Sequence, residues 1–117
     1  MVARGLPVTN AELQAKTLDA VKKYDPRPDE ALVAALVKNY ALVLRKPDAA
    51  YVSCSDAKEL ETVKKNFLRG KLGLREGPEL DEAVRKVCER MKGERRKPRA
   101  VFYYLLIKDL GKESVFA

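Results

Sequence analysis

The segment Ala100–Ile107 is an unbroken run of apolar and aromatic residues, and it constrains the fold more than any other feature of the sequence. It lies in a predicted helix that starts at about Pro98 and ends at Gly111. A helix that is apolar on every side is normally surrounded by other elements. We therefore predict that this C-terminal helix is the buried centre of the core. The run is much shorter than the ~20 residues that cross a bilayer, so we expect no membrane partner.

Capping residues, prolines and apolar spacing predict four more helices before this one. Thr9 and Glu12 form a capping box that opens the first helix, and Asp25–Pro28 separates the first helix from the second. The predicted helices run from Thr9 to about Tyr24, from about Pro28 to Leu44, from Ser55 or Asp56 to about Arg69, from Pro78 to Gly93 and from about Pro98 to Gly111. No strand alternation is visible. The predicted fold class is all-α, with residues 1–117 in one orthogonal or bundle-like domain and a short flexible N-terminus at 1–8.

The sequence contains no histidine and two distant cysteines, Cys54 and Cys88. Zinc sites need clustered Cys and His residues, so we predict no metal. Free cysteines are commonly buried, and we interpret this pair as two reduced, buried thiols rather than as a disulfide.

The residue content also excludes the commonest catalytic arrangements. Without histidine, neither a Ser-His-Asp nor a Cys-His arrangement can be built. Arg69–Gly73 matches neither a Walker phosphate loop nor a dinucleotide fingerprint, and we expect no cofactor. Glu79, Asp81 and Glu82 are best explained as favourable charges at the N-terminus of the fourth helix.

Positive charge is concentrated in the second half of the chain. The formal net charge is +7, and residues 1–63 contribute nothing to it because their nine basic and nine acidic side chains cancel. Arg85–Arg99 holds eight basic residues against Glu89 and Glu94. Clustered cations recruit polyanions, whereas a solvated basic face would serve solubility. Both interpretations remain open from the charge alone.

The segment Gly93–Arg99 carries the most specific signal within this basic region. Cations at the N-terminus of the last helix oppose the helix dipole, and a bound phosphate would relieve that conflict. Exposure of these side chains to water, or their pairing with the acidic N-terminal half, is the alternative. The cations assigned to RNA phosphates are Lys64, Lys65, Arg69, Arg85, Arg95, Arg96, Lys97 and Arg99. The candidates for catalysis are Glu94, Arg96 and Tyr103, with Tyr103 also considered for base stacking or core packing.

Two stretches resemble a known family. Ser55–Leu68 with Lys71–Leu74 is one, and Arg99–Leu106 with Gly111–Phe116 is the other. Together they resemble domain-of-unknown-function family 2853, a family of small bacterial proteins, over roughly Asp29 to Phe116. The resemblance implies a compact helical domain and brings no activity. The chain is also similar to a mitochondrion-associated ribonuclease of trypanosomatid protozoa, which would imply an endoribonuclease acting on RNA.

The expected function is therefore RNA binding through the basic surface, with endoribonuclease activity implied by resemblance alone. The alternative is a non-catalytic helical module that binds an acidic protein. Homodimerisation is left open by the sequence. The ribonuclease resemblance implies a mitochondrial location; otherwise we expect a cytoplasmic protein. The N-terminus lacks the apolar stretch of a secretory signal, so secretion is not expected.

Overall fold

A computed structural model describes residues 9–46 and 49–116, and the flexible tail predicted at 1–8 lies outside these ranges. Helices dominate, and two short strands pair with each other. The α-helices are α1 (Asn10–Val21), α2 (Glu30–Asn39), α3 (Ala41–Leu44), α4 (Ala57–Thr62), α5 (Pro78–Arg90) and α6 (Arg99–Leu110). A π-helix spans Val63–Lys71, a 3₁₀ helix spans Glu113–Phe116, and the strands are β1 (Tyr51–Val52) and β2 (Lys97–Pro98).

Helix α6 is the centre of the fold, as predicted. Every residue from Arg99 to Ile107 is buried. The helix contacts α1, α2, α5 and both strands, so apolar neighbours cover it on all sides. It ends at Gly111, whose φ of +65° is left-handed and suits glycine. The mostly helical fold class is confirmed.

The first two predicted helices form, with one difference. Thr9 and Glu12 make the predicted capping box at the start of α1. Asp29 caps α2 by accepting a hydrogen bond from the Leu32 amide at 3.0 Å. The helix predicted to reach Leu44 is interrupted at Tyr40, where φ is −118°, and this divides it into α2 and α3.

The third predicted helix changes character after Thr62. Helix α4 gives way to the π-helix, in which each amide bonds five residues back. The amide of Leu72 shows this spacing, because it donates to the Phe67 carbonyl at 2.9 Å. The wider turn still buries Val63, Phe67 and Leu68. Apolar spacing alone predicts a helix here and does not distinguish its type.

Two long-range links correct the sequence analysis. Strands β1 and β2 pair antiparallel, with Tyr51 opposite Pro98 and Val52 opposite Lys97. Two residues are too few to show strand alternation, so the pattern predicted no strand. The prediction of two free thiols is wrong as well, because Cys54 and Cys88 form a disulfide with a Cα–Cα distance of 5.9 Å. The two cysteines lie 34 residues apart in the sequence, and no local pattern shows that the fold brings them together.

No helix within residues 9–46 and 49–116 combines the length and the hydropathy that a membrane crossing requires. In the same part of the chain, no group of three or more Cys, Asp or Glu side chains is arranged to hold a metal ion.

The hydroxyl of Tyr104 ties the turn between α1 and α2 to the core helix. This fully buried side chain donates to the Asp25 carboxylate at 2.5 Å and accepts from the Asp29 amide at 2.8 Å. Burial, followed by the hydrogen bond to Asp25, raises the pKa of Tyr104 to about 12. The hydroxyl therefore stays protonated and keeps donating across the physiological range.

Replacing Tyr104→Phe should lower the free energy of unfolding by about 2 kcal/mol, because the Asp29 amide and the Asp25 carboxylate lose a buried partner. Urea unfolding followed by circular dichroism measures the change. Tyr51→Phe is the control, since the Tyr51 hydroxyl makes no hydrogen bond within the described residues, and it should shift the value by less than about 0.5 kcal/mol. Equal shifts for the two variants would contradict the assigned role of Tyr104.

Candidate nucleic-acid interface

The predicted basic segment borders an open cleft of about 550 Å³. One wall is β1 with the loop that follows it, and the other is the end of the α5–α6 connection. Pairing of β1 with β2 brings the walls together, although they are more than forty residues apart in the chain. The cleft is lined by Tyr51, Val52, Ser53, Cys54, Ser55, Arg95, Arg96 and Lys97.

The cleft is electropositive. Arg95, Arg96 and Lys97 line it, and none of its described lining residues carries a carboxylate. Arg95 makes no ion pair within the described part of the chain. The guanidinium of Arg96 lies over the Tyr51 ring, 5.3 Å from its centroid. Lys97 Nζ donates to the backbone carbonyl of Glu94 at 3.1 Å. Such an arrangement favours an anionic ligand.

Arg99 does not join this cleft. The side chain is buried, at 8% exposure. Its Nε donates to the Ala49 carbonyl at 2.6 Å and its Nη1 to the Tyr103 hydroxyl at 3.0 Å, while Nη2 forms an ion pair with Glu59. Arg99, which the sequence analysis assigns to an RNA phosphate, is thus engaged by partners within the protein. The unfavourable charge at the N-terminus of α6 is relieved from within the protein, by a carboxylate and carbonyl oxygens.

Replacing Arg99→Met should lower the free energy of unfolding by about 3 kcal/mol, since it leaves Glu59 and the Ala49 carbonyl without their charged donor. Chemical unfolding gives the value. The double variant Arg99→Met/Glu59→Gln should regain part of this loss, because the unpaired carboxylate is gone. A single variant as stable as the wild type would contradict the assigned role.

Glu94 lies beside the cleft, and its carboxylate contacts the turn that follows α1. Its carboxylate accepts from the Tyr24 hydroxyl at 2.7 Å and lies 3.4 Å from Lys23 Nζ. The hydrogen bond from Tyr24, more than the charge of Lys23, lowers the pKa of Glu94. A carboxyl group that stays ionised at neutral pH cannot donate a proton as a general acid.

Tyr103 is packed in the core. It is 6% exposed and stacks on Phe67 with ring centroids 3.7 Å apart. Burial is the main cause that raises the pKa of Tyr103. The structure therefore agrees with core packing, one of the roles considered for Tyr103. To stack on an RNA base, the side chain would have to leave the core. Glu94, Arg96 and Tyr103 are consequently not brought together at one point.

The hydrogen bond between Tyr24 and Glu94 makes stability depend on pH. Because the pKa of folded Glu94 lies below its unfolded value, the ionised carboxylate stabilises the fold above that value, and the contribution is lost as the pH falls. Glu94→Gln should therefore be less stable than the wild type at neutral pH. The difference in free energy of unfolding between the wild type and this variant should narrow below about pH 4, where the wild-type carboxylate becomes protonated. Urea unfolding across a pH series checks this, and a constant difference down to pH ~3 would contradict it.

The remaining predicted phosphate ligands are mostly engaged with carboxylates. Lys64 pairs with Glu61 and Asp81, and Arg69 with Glu76. Arg85 Nη2 lies 2.5 Å from Glu82 on an exposed face of α5. Lys65 is exposed and has no ion pair within the described residues. These cations line other cavities than the cleft of Arg95–Lys97.

Sequence reasoning missed the second wall of the cleft. Tyr51, Ser53 and Ser55 supply an aromatic ring and two hydroxyls opposite the cations. They lie in a segment that shows no helical or strand period. Long-range links place them there, namely the pairing with β2, the bonds from Arg99 to Ala49 and Ala50 and the Cys54–Cys88 disulfide. No local pattern signals such links.

The chain matches the family described as proteins of unknown function (DUF2853) over residues 16–114. This match covers most of the chain, and the protein belongs to that family. The predicted resemblance to family 2853 is thereby confirmed. No significant match was found among the curated proteins.

Proposed function

We propose that this protein binds RNA in the cleft between β1 and the α5–α6 connection. The observation that carries the proposal is the convergence of Arg95, Arg96 and Lys97 on a cleft whose described lining residues include no carboxylate. Arginine offers paired donors to phosphate oxygens, and lysine adds a point charge. Successive phosphates of one strand would contact these three cations.

A single strand suits the cleft better than a duplex. Tyr51 presents a half-exposed ring beside Arg96, and aromatic rings stack on unpaired bases. Reading a duplex needs an element that enters a groove, and α6 is buried along most of its length. Ser53 and Ser55 add hydroxyls that can donate to phosphate or ribose oxygens.

Cleavage of the bound RNA has less support than binding. Its basis is the resemblance to a mitochondrial ribonuclease, which also implies a mitochondrial location. Arg96 is the one catalytic candidate that lines the cleft, and it could stabilise charge on a reacting phosphate. Glu94 does not line the cleft, so its carboxylate would have to move towards the bound strand before it could accept a proton from a ribose hydroxyl. Binding is therefore the activity we propose first.

Replacing Arg95, Arg96 and Lys97 together by alanine should abolish most of the RNA affinity. Each phosphate contact to a single strand contributes a slope of about −0.7 to the dependence of log affinity on log salt, so the slope should weaken by roughly two. Fluorescence anisotropy with labelled oligouridine across a salt series gives both quantities.

The matched control removes the same charge elsewhere. Lys22, Lys38 and Lys86 are exposed and do not line the cleft. Their triple alanine variant should keep the salt slope of the wild type. Equal losses in the two variants would show that net charge, not the cleft, attracts RNA. Failure of the wild type to bind at low salt, together with capture of an acidic polypeptide by the same cations, would favour the acidic-protein alternative.

A further inference from the structure

The disulfide is part of the wall of the cleft. Cys54 lines the cleft beside Ser53 and Ser55, and Cys88 lies on α5. Both cysteines are partly exposed. They also share a neighbouring cavity of about 190 Å³, so the bond can be reached from solvent on this side. Disulfides that solvent can reach are in general more easily reduced than buried ones.

Different links hold the two parts of this wall. The first part, Ala49–Val52, is held by Arg99, whose backbone amide donates to the Ala50 carbonyl at 2.7 Å, and by the strand pairing. The second part, Ser53–Ser55, lacks those links. Within the described residues, a 3.3 Å contact between the two serine hydroxyls and a 3.3 Å bond from the Asp56 amide to Ser53 are local to the loop. The disulfide is what fastens this part to α5.

Three cations line the cleft together with Cys54. They are Arg95, Arg96 and Lys97, and no carboxylate is among the described residues that line this cavity. The second cavity, which Cys54 shares with Cys88, is lined by Lys64 and Arg85 and also by the carboxylate of Asp81. Nearby cations stabilise a thiolate, and a stabilised thiolate leaves a disulfide more readily. An attacking thiolate should therefore form its mixed disulfide with Cys88 and expel Cys54.

We propose that the Cys54–Cys88 disulfide is a thiol-exchange site that controls the RNA cleft. A dithiol reductant supplies two electrons and two protons. Its first thiolate attacks Cys88 Sγ, and the Cys54 thiolate leaves and takes up one proton. Its second thiolate then attacks the reductant sulfur of the mixed disulfide, so the bond to Cys88 breaks and the Cys88 thiolate takes up the other proton. The products are two cysteine thiols and the oxidised dithiol. Reduction releases Ser53–Ser55 from α5, so RNA binding must then order that loop again. This control rests on the proposed RNA binding.

The test compares the full chain before and after treatment with dithiothreitol. Amide hydrogen exchange by NMR should accelerate about tenfold or more at Asp56, whose amide donates to the Ser53 carbonyl within the fastened loop. The Arg99 amide should be unchanged, because its bond to Ala50 does not depend on the disulfide. The affinity for labelled oligouridine at constant salt should fall by about tenfold, since ordering a few backbone residues opposes binding.

The variant Cys54→Ser/Cys88→Ser should match the reduced protein and should not respond to the reductant. If this variant does not fold, the wild type with and without dithiothreitol still gives both measurements. Equal exchange rates in the two states, or equal affinities in a protein that binds RNA, would overturn the proposal. Faster exchange on reduction without RNA binding in either state would instead refute the proposed function and leave a redox-sensitive loop.

Discussion

The guanidinium of Arg99 holds together the part of the molecule that forms the cleft. It joins the start of α6 to the segment before β1 through the Ala49 carbonyl, and to α4 through Glu59. Burial penalises a charge, and the cost is offset here because carbonyl, hydroxyl and carboxylate oxygens surround it. Strand pairing adjoins this network, since β2 ends where α6 begins. The position of Tyr51 opposite the cations therefore depends on a buried arginine.

Helices were predictable where the signal was local. The capping box at Thr9, the proline-rich break after α1 and the all-apolar character of α6 each depend on neighbouring residues. The break at Tyr40 and the π-helix depend on how the core packs around them. The disulfide and the strand pair join residues more than thirty positions apart, and no periodic pattern reports such distances. A single sequence contains little information on them.

The sequence predicts the cationic wall of the candidate site but not the wall opposite it, because only the first depends on neighbouring residues. Charge counting identified Arg95, Arg96 and Lys97, which line the cleft. The same count groups Arg99 with these cations. The helix dipole shows that a cation at the N-terminus of α6 needs an anion, but it does not identify that anion. Glu59 supplies that anion. Tyr103 is one of two adjacent tyrosines in an apolar helix, and the sequence does not show which partners each tyrosine meets. In the structure its ring stacks on Phe67 in the core.

The central position of α6 has a consequence for how the chain acquires its structure during synthesis. Helices α1 to α5 leave the ribosome before the helix against which α1, α2 and α5 pack. Until α6 emerges, residues such as Leu36 and Val87 have no completed core to enter. Exposed apolar surface of this kind is what chaperones bind on nascent chains. Folding is consequently expected to be a late, concerted event, with the cleft assembled in the same step as the core.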